Sequence, residues 1–142
     1  MARIFIVDDE LYIQTLYSDI LERAGHEVVE RAFNGAEAVV KYELIRPPPD
    51  LILMDHRMPI KNGMQAAAEI LRMDPAAAVL VVSADLSVKD KAEGSGVAGF
   101  VEKPFNMVDL LKKIERIVAE WSLRRAEGSE ALLRQLPVGK AP

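Results

Sequence analysis

Arg3-Ile4-Phe5-Ile6-Val7-Asp8-Asp9 is the stretch that decides the fold: five residues, nearly all apolar, run without a break into two aspartates. A continuous apolar run of this length suits a strand covered on both faces, as in a parallel sheet, rather than the alternating strand of a half-wet antiparallel one. Parallel neighbours need helical crossovers, and helix periodicity follows at once in Ile13, Leu16, Tyr17, Ile20, Leu21 and Ala24, with Gly25 where a C-cap glycine belongs.

The same unit recurs. Val28 to Phe33 alternates like a strand, and Asn34-Gly35-Ala36-Glu37 resembles a capping box opening a helix that Pro47-Pro48-Pro49 ends. Leu51 to Met54 is a third strand, followed by a helix presenting Met64, Ala67, Ala68 and Leu71 that stops before Pro75. Ala78 to Val82 is the fourth, and the helix between Leu86 and Glu93 has few apolar residues to hold it, with Gly94 and Gly96 close behind. Gly99 to Val101 is the fifth, and Asn106 caps a long helix with Met107, Leu110, Leu111, Ile114, Val118 and Trp121 on one face. Five strand-helix units imply an α/β fold, a doubly wound five-stranded parallel sheet with helices on both faces. This unit takes residues 1–121. Residues 122–142 form a tail, with a break at Glu127-Gly128-Ser129 and a short helix over 130–136 carrying Leu132, Leu133 and Leu136.

Composition narrows the chemistry. The chain has 142 residues, half of them apolar, the size of one domain with a single core. It has no cysteine, so disulfides, thiolate metal sites and thiol nucleophiles are excluded, and any metal must take oxygen ligands or the two histidines. A net charge of −4 argues against direct nucleic-acid binding and for protein partners. No apolar run reaches membrane-spanning length and the N-terminus enters a strand, so a cytoplasmic protein without a membrane segment is expected.

In open α/β sheets ligands bind at the carboxyl ends of the strands. Here those positions hold Asp8 and Asp9, Asp55, Ser83 and, just past strand five, Lys103. With the strands ordered 2-1-3-4-5, three carboxylates, a hydroxyl and an ammonium converge on one rim. Clustered carboxylates repel one another unless a cation is present, and an all-oxygen set suits Mg2+. With the metal and the lysine neutralising charge, Asp55 becomes a nucleophile for a transferring phosphoryl group, because it ends the central strand ahead of Pro59 and Gly63, where the chain turns away. Taken singly, Asp8 or Asp9 reads as a helix N-cap, Ser83 as a turn residue and Lys103 as a surface charge; only their joint placement points to a site. His26 and His56 lack metal-ligand spacing and read as ordinary surface or loop residues.

The set Asp8-Asp9, Asp55-x-x-Met58-Pro59-x-x-x-Gly63, Ser83-Ala84 and Lys103-Pro104-Phe105 resembles the response-regulator receiver family of two-component signalling over about residues 2–121. The resemblance implies a signalling switch, not a metabolic enzyme: Asp55 the phosphoacceptor for a sensor histidine kinase, Asp9 a direct Mg2+ ligand, Asp8 a partner to metal-bound water, and the backbone carbonyl of Arg57 a further ligand. It implies that Lys103 pairs with the phosphoryl oxygens, that Ser83 is drawn toward them, and that Phe100 turns inward behind Ser83. The output surface would be the fourth helix, fifth strand and fifth helix, which control a downstream protein, pass the phosphate to a phosphotransfer protein, or form a weak phosphorylation-dependent homodimer of an otherwise monomeric chain. Phe100 lacks the hydroxyl of the tyrosine many relatives carry, so its switching rests on packing. Arg57 and Asp85 stand where relatives tune turnover, and the 2-1-3-4-5 order allows them to face each other as an ion-paired lid. A phosphatase of the haloacid-dehalogenase type is disfavoured because Arg57 stands where that chemistry needs a second aspartate. A flavin or nucleotide binder is disfavoured by Asp8-Asp9 in place of a glycine-rich loop. A degenerate receiver used only for docking is disfavoured because every acceptor-site residue type is present.

Overall fold

The computed structural model describes residues 1–135. Five strands, β1 (Arg3–Val7), β2 (Glu27–Ala32), β3 (Leu51–Asp55), β4 (Val79–Ser83) and β5 (Gly99–Glu102), alternate with five helices. These are α1 (Leu11–Arg23), α2 (Gly35–Leu44), α3 (Gly63–Met73), α4 (Leu86–Ala92) and α5 (Met107–Arg134). The sheet is parallel, as the strand-helix rhythm required, and its order is β2-β1-β3-β4-β5.

Successive residues of each strand point to opposite faces, and both faces are dry. Ile4, Ile6, Leu51, Leu53, Leu80 and Val82 meet Tyr17 and Leu21 of α1 and Leu110, Ile114 and Ile117 of α5. On the other face Phe5, Val7, Ile52, Met54, Val79 and Val81 meet Ala38 and Tyr42 of α2, Ala66, Ala67 and Ile70 of α3, and Val88 of α4. Each fully buried Ile, Leu or Phe side chain contributes about 1.5–3 kcal/mol, so these two layers drive folding.

Several caps obey the sequence pattern. Gly25, at φ +91°, lets His26 N–H and Gly25 N–H close back onto the carbonyls of Leu21 and Glu22, the Schellman arrangement an L-residue would strain. Asn106 Oδ1 accepts from Asp109 N–H at 2.8 Å and opens α5. At Asn34 only half of the expected box forms: its Oδ1 accepts from Glu37 N–H, while the Glu37 carboxylate turns to Lys41 at 2.9 Å. The reciprocal capping box stands instead at Asn62 and Gln65, opening α3.

Two helices are rotated from the faces their apolar residues indicate. The buried face of α1 is Gln14, Tyr17, Ser18 and Leu21, with Leu16 and Ile20 only half-buried, because Gln14 is drawn inward by hydrogen bonds at the strand ends. In α3, Ala66, Ala67 and Ile70 are buried and Ala68 is exposed, because the Ala66–Ala67–Ala68 run carries no periodic signal of its own. The break expected at Glu127-Gly128-Ser129 is absent. α5 runs through Gly128 to Arg134, so no separate short helix begins at residue 130, and Leu136 lies outside the described residues. An isolated Gly costs about 1 kcal/mol in a helix, too little to end one by itself. Arg125 ties the extended helix to the α3–β4 corner, donating to Ala76 O at 3.2 Å beside Asp74. No helix of the described residues is long and apolar enough to cross a membrane.

Gly63 begins α3 directly against the end of β3, where a Cβ would collide with the Asp55 carbonyl and crowd the His56 Cα at 2.8 Å. Both obstacles are backbone, which cannot swing aside. Gly63→Ala is therefore expected to lower unfolding free energy by about 1–3 kcal/mol, the usual cost of overpacking, measured by urea denaturation. Wild-type stability in that variant would show that the β3–α3 junction has slack.

Candidate functional site

The registers assemble the rim. Val7 pairs with Met54, so Asp8 follows level with Asp55; Asp55 pairs with Val82, and Ser83 with Glu102, so Ser83 and Lys103 come next in line. Asp8, Asp9 and Asp55 offer carboxylate oxygens that all lie within 4.8 Å of one another. Lys103 Nζ donates to Asp55 Oδ1 at 2.9 Å, and Ser83 Oγ accepts from Asp85 N–H at 3.1 Å. A cavity of about 560 Å³ opens over this rim, lined by Asp55, His56, Arg57, Met58, Asn62, Ser83, Ala84, Asp85 and Lys103.

Neither Asp8 nor Asp9 caps α1. Glu10 stands at the N-cap without a side-chain bond, and Asp8 Oδ1 accepts from Glu10 N–H at 2.9 Å. Asp8 is 2% exposed, and its Oδ2 is buried without a hydrogen-bond partner among the described residues. Burial, with Asp55 and Asp9 nearby, pushes its carboxyl up to about 6 despite the Glu10 amide. Burial likewise holds Asp55 above the ordinary carboxylate range, outweighing the bond and charge of Lys103. Burial alone would lower Lys103, yet the hydrogen bond and charge of Asp55 carry it above its ordinary value, so the ammonium form is secure. An orphaned buried carboxylate oxygen inside an all-oxygen cluster short of positive charge fits a hard divalent cation such as Mg2+.

The other expected residues take varied places. Phe100 is half-buried against the α2–α3–α4 layer, and its carbonyl accepts from Lys113 Nζ at 2.6 Å. Arg57 and Asp85 both reach the cavity rim, but the ion-paired lid does not form: among the described residues neither takes part in an ion pair. Asp85 instead caps α4, its Oδ1 accepting from Ser87 N–H at 2.9 Å and Ser87 Oγ–H at 2.7 Å, which hold its carboxyl below the usual range. A local cap is the nearer partner, and an exposed arginine gains little from a distant carboxylate.

Both histidines lie in loops, as expected, but neither is an ordinary surface residue. His56 is half-buried on the cavity wall, its Nδ1 accepting from Met64 N–H at 3.3 Å, and burial lowers its pKa. The His26 side chain is 8% exposed, with Nδ1 accepting from Ala2 N–H at 3.1 Å and Nε2 3.6 Å from Glu115. Pattern reading also missed Gln14, wholly buried beneath the acidic rim. Its signal was available: Gln14, Tyr17, Ser18 and Leu21 share helical spacing, so a polar pair lies on the inward face.

The family described as the response regulator receiver domain matches residues 4–115. The chemotaxis protein CheY of Thermotoga maritima is 38% identical over 119 residues, covering 80% of this chain and 98% of the relative. The transcriptional regulatory protein PdtaR of Mycobacterium tuberculosis is 34% identical over 136 residues, 94% of this chain and 65% of that one. Among solved structures, the CheX–CheY–BeF3–Mg2+ complex of Borrelia burgdorferi superposes with a TM-score of 0.77 at 26% identity, covering 81% of this chain and 87% of that one. The response regulator TrrA of Thermotoga maritima, in complex with Mg2+–BeF, gives a TM-score of 0.75 at 30% identity, covering 82% and 99%.

The Asp8 shift sets a sign. A carboxyl raised from 3.8 to about 6 binds more protons folded than unfolded, so metal-free stability falls as pH rises across that interval. Asp8→Asn removes the buried charge while keeping an acceptor for Glu10 N–H. In chelator at pH 7.5 it should be more stable than wild type by up to about 3 kcal/mol, two pKa units at 1.36 each, with the gain gone at pH 4. Equal stabilities at both pH values, read from urea midpoints, would show that Asp8 carries no such strain.

Proposed function

The chain belongs to the response regulator receiver domain family, the CheY-like signalling switches of two-component systems, and we propose that it is a phosphoacceptor whose Asp55 takes the phosphoryl group of a sensor histidine kinase. The observation that carries this reading is Lys103 Nζ at 2.9 Å from Asp55 Oδ1, beside the Asp8–Asp9–Asp55 cluster at the sheet's carboxyl edge. An Asp55 carboxylate oxygen forms the new O–P bond while the N–P bond of the phosphohistidine breaks. The electron pair of that bond returns to the imidazole, whose second nitrogen keeps its proton, so that it leaves neutral. Mg2+, held by Asp8, Asp9, Asp55 and the backbone carbonyl of Arg57, would supply charge neutralisation for the phosphoryl oxygens.

Lys103 then exchanges its Asp55 partner for a phosphoryl oxygen. Ser83 Oγ accepts from Asp85 N–H, which leaves its own proton to be donated toward the phosphoryl group. That motion draws on the β4–α4 junction, and α4 is anchored only by Val88 and Ala92. Half-buried Phe100 follows by packing, and α4, β5 and α5 become the face read by a downstream protein, a phosphotransfer protein or a second copy. Arg57 and Asp85 tune phosphoryl lifetime separately from the cavity rim. The receiver unit comprises residues 1–121 and residues 122–142 are an appendage to it; the protein works in the cytoplasm.

A kinase domain must cover the acceptor mouth, and exposed apolar side chains stand on the same side of the sheet. Leu11, Tyr12, Ile60, Leu86 and Val108 are 64, 75, 82, 57 and 60% exposed. They occupy the β3–α3 loop and the first turns of α1, α4 and α5, all on the carboxyl side of the sheet.

Incubation with Mg2+ and acetyl phosphate should add one phosphoryl mass, labile to hydroxylamine, and Asp55→Asn should abolish it. Undiminished labelling of that variant with an acid-stable linkage would overturn the assignment of Asp55. Tyr12→Ala should slow transfer from a phosphorylated kinase domain about tenfold, the effect of losing one aromatic anchor, with labelling by acetyl phosphate unchanged. Equal slowing with both donors would mean that Tyr12 serves the fold and not the partner.

A further inference from the structure

Gln14 is the one glutamine whose side chain is sealed inside the described fold, at 0% exposure, one turn into α1 below the acidic rim. Its Nε2 faces three main-chain oxygens: Ala32 O at 2.8 Å, Asp8 O at 3.1 Å and Ile6 O at 3.3 Å. Two hydrogens serve three acceptors, so the longest contact, to Ile6, is the shared one. The three carbonyls fix the amide's orientation, because turning it over would set Oε1 against three oxygens. Oε1 is itself buried without a hydrogen-bond partner among the described residues. An orphaned acceptor is a cost that an apolar residue of the same length would avoid, so what the side chain contributes comes from its donor end.

The donor end holds the peptide that presents the acidic pair. The Asp8 carbonyl belongs to the Asp8–Asp9 link, and the Asp8 N–H donates to Ala32 O at 3.1 Å, the oxygen Gln14 also grips. With Asp8 Oδ1 taken by Glu10 N–H, the end of β1 is pinned from below by Gln14 and from above by the first turn of α1. Asp9 is exposed and its carboxylate makes no hydrogen bond among the described residues, so its placement beside Asp8 and Asp55 depends on that peptide.

We propose that Gln14 is a positioning residue for magnesium, holding the Asp8–Asp9 peptide so that both carboxylates face Asp55. The proposal rests on the phosphoacceptor reading above. Gln14 touches neither metal nor phosphoryl group and acts through the main chain. Other residues fit the position poorly. Leucine or methionine would take the amide donor from all three carbonyls and leave Ala32 O with the Asp8 N–H, glutamate would set oxygens against oxygens, arginine would bury a charge, and asparagine is one methylene short.

Magnesium binding itself, measured by titration calorimetry on the full chain without any phosphodonor, separates positioning from mere stability. Gln14→Met keeps length and volume. Under conditions where circular dichroism shows it folded, its Kd for Mg2+ should rise about tenfold, the low end of what outer-shell partners contribute. Ile114→Val, a core change in α5 that removes none of the hydrogen bonds at the end of β1, should leave Kd within twofold. In the wild-type protein the Gln14 carboxamide N–H resonances should exchange slowly with solvent and shift when Mg2+ is added, which decides the matter even if Gln14→Met does not fold. Wild-type binding with an unchanged Kd in Gln14→Met, or fast-exchanging Gln14 amide protons that ignore Mg2+, would overturn the positioning role alone. Failure of the wild type to bind Mg2+ would overturn the metal reading and this proposal with it.

Discussion

Three carboxylates whose oxygens lie within 4.8 Å of one another, facing a single lysine ammonium, are the constraint the rest of the molecule is arranged around. Left to themselves such groups separate or take up protons, and the fold prevents the first. The parallel register sets Asp8 level with Asp55, Gly63 lets α3 begin against the Asp55 carbonyl, and Gln14 grips the Asp8 peptide from below. What remains is the second response, visible in the raised carboxyls of Asp8 and Asp55, where burial is the larger cause and the neighbouring carboxylates add to it. The site is held in a state that positive charge improves, the condition for a site that responds to a cation and a phosphoryl group.

Rigidity is distributed unevenly around that cluster. β3 and β4 are buried along their whole length, and α3 is fixed by a complete capping box and by two amides directed at His56. α4 is seven residues long, with two buried side chains and Asp85 as its cap. Ser83 links the two regimes, since its side chain accepts from the amide of Asp85. A displacement of Ser83 toward Asp55 therefore acts on the cap of the least anchored helix before it reaches anything stiff. Sub-ångström movement beside Asp55 can bias α4 while leaving the sheet unchanged.

The parallel sheet, its four helical crossovers and the acidic rim were legible because each rests on a strong local signal: unbroken apolar strands, helix-ending Gly and Pro, and chemistry-bearing residues at the strand ends. The failures also have physical causes. In α1 and α3, counting apolar residues misplaced the inward face, because carbonyls at the strand ends recruit Gln14 and because three alanines in a row carry no phase. The break expected at Gly128 rested on a single unfavourable residue, whose small cost the helical turns on either side of it outweigh, and α5 runs through it. The imagined Arg57–Asp85 lid joined two residues that do share a cavity, but Asp85 satisfies a nearer need at the N-terminus of α4. His26 and His56 looked ordinary because nothing local marks a ring nitrogen that accepts a backbone amide from a distant segment.

Stability and signalling in this chain draw on the same charges. Ionising Asp8 in the metal-free fold costs up to about 3 kcal/mol, from two pKa units at 1.36 each. A ligand that binds only the folded state at a hundred times its Kd returns about 2.7 kcal/mol. The two quantities are of one size, so a cation at that concentration cancels what the acidic cluster takes from the fold. An acidic rim built for tighter metal binding, with more carboxylates or deeper burial, would lower metal-free stability in proportion, and a domain with a single core of this size has a total of only about 5–15 kcal/mol to draw on. Lys103 moderates that conflict. As a cation 2.9 Å from Asp55 it offsets part of the repulsion before any metal arrives, yet it is 38% exposed on a side chain long enough to follow negative charge that moves away from the carboxylate. Guanidinium in its place would be bulkier and bound by a planar fork to one geometry, whereas the ammonium can leave one oxygen for another without breaking a paired contact.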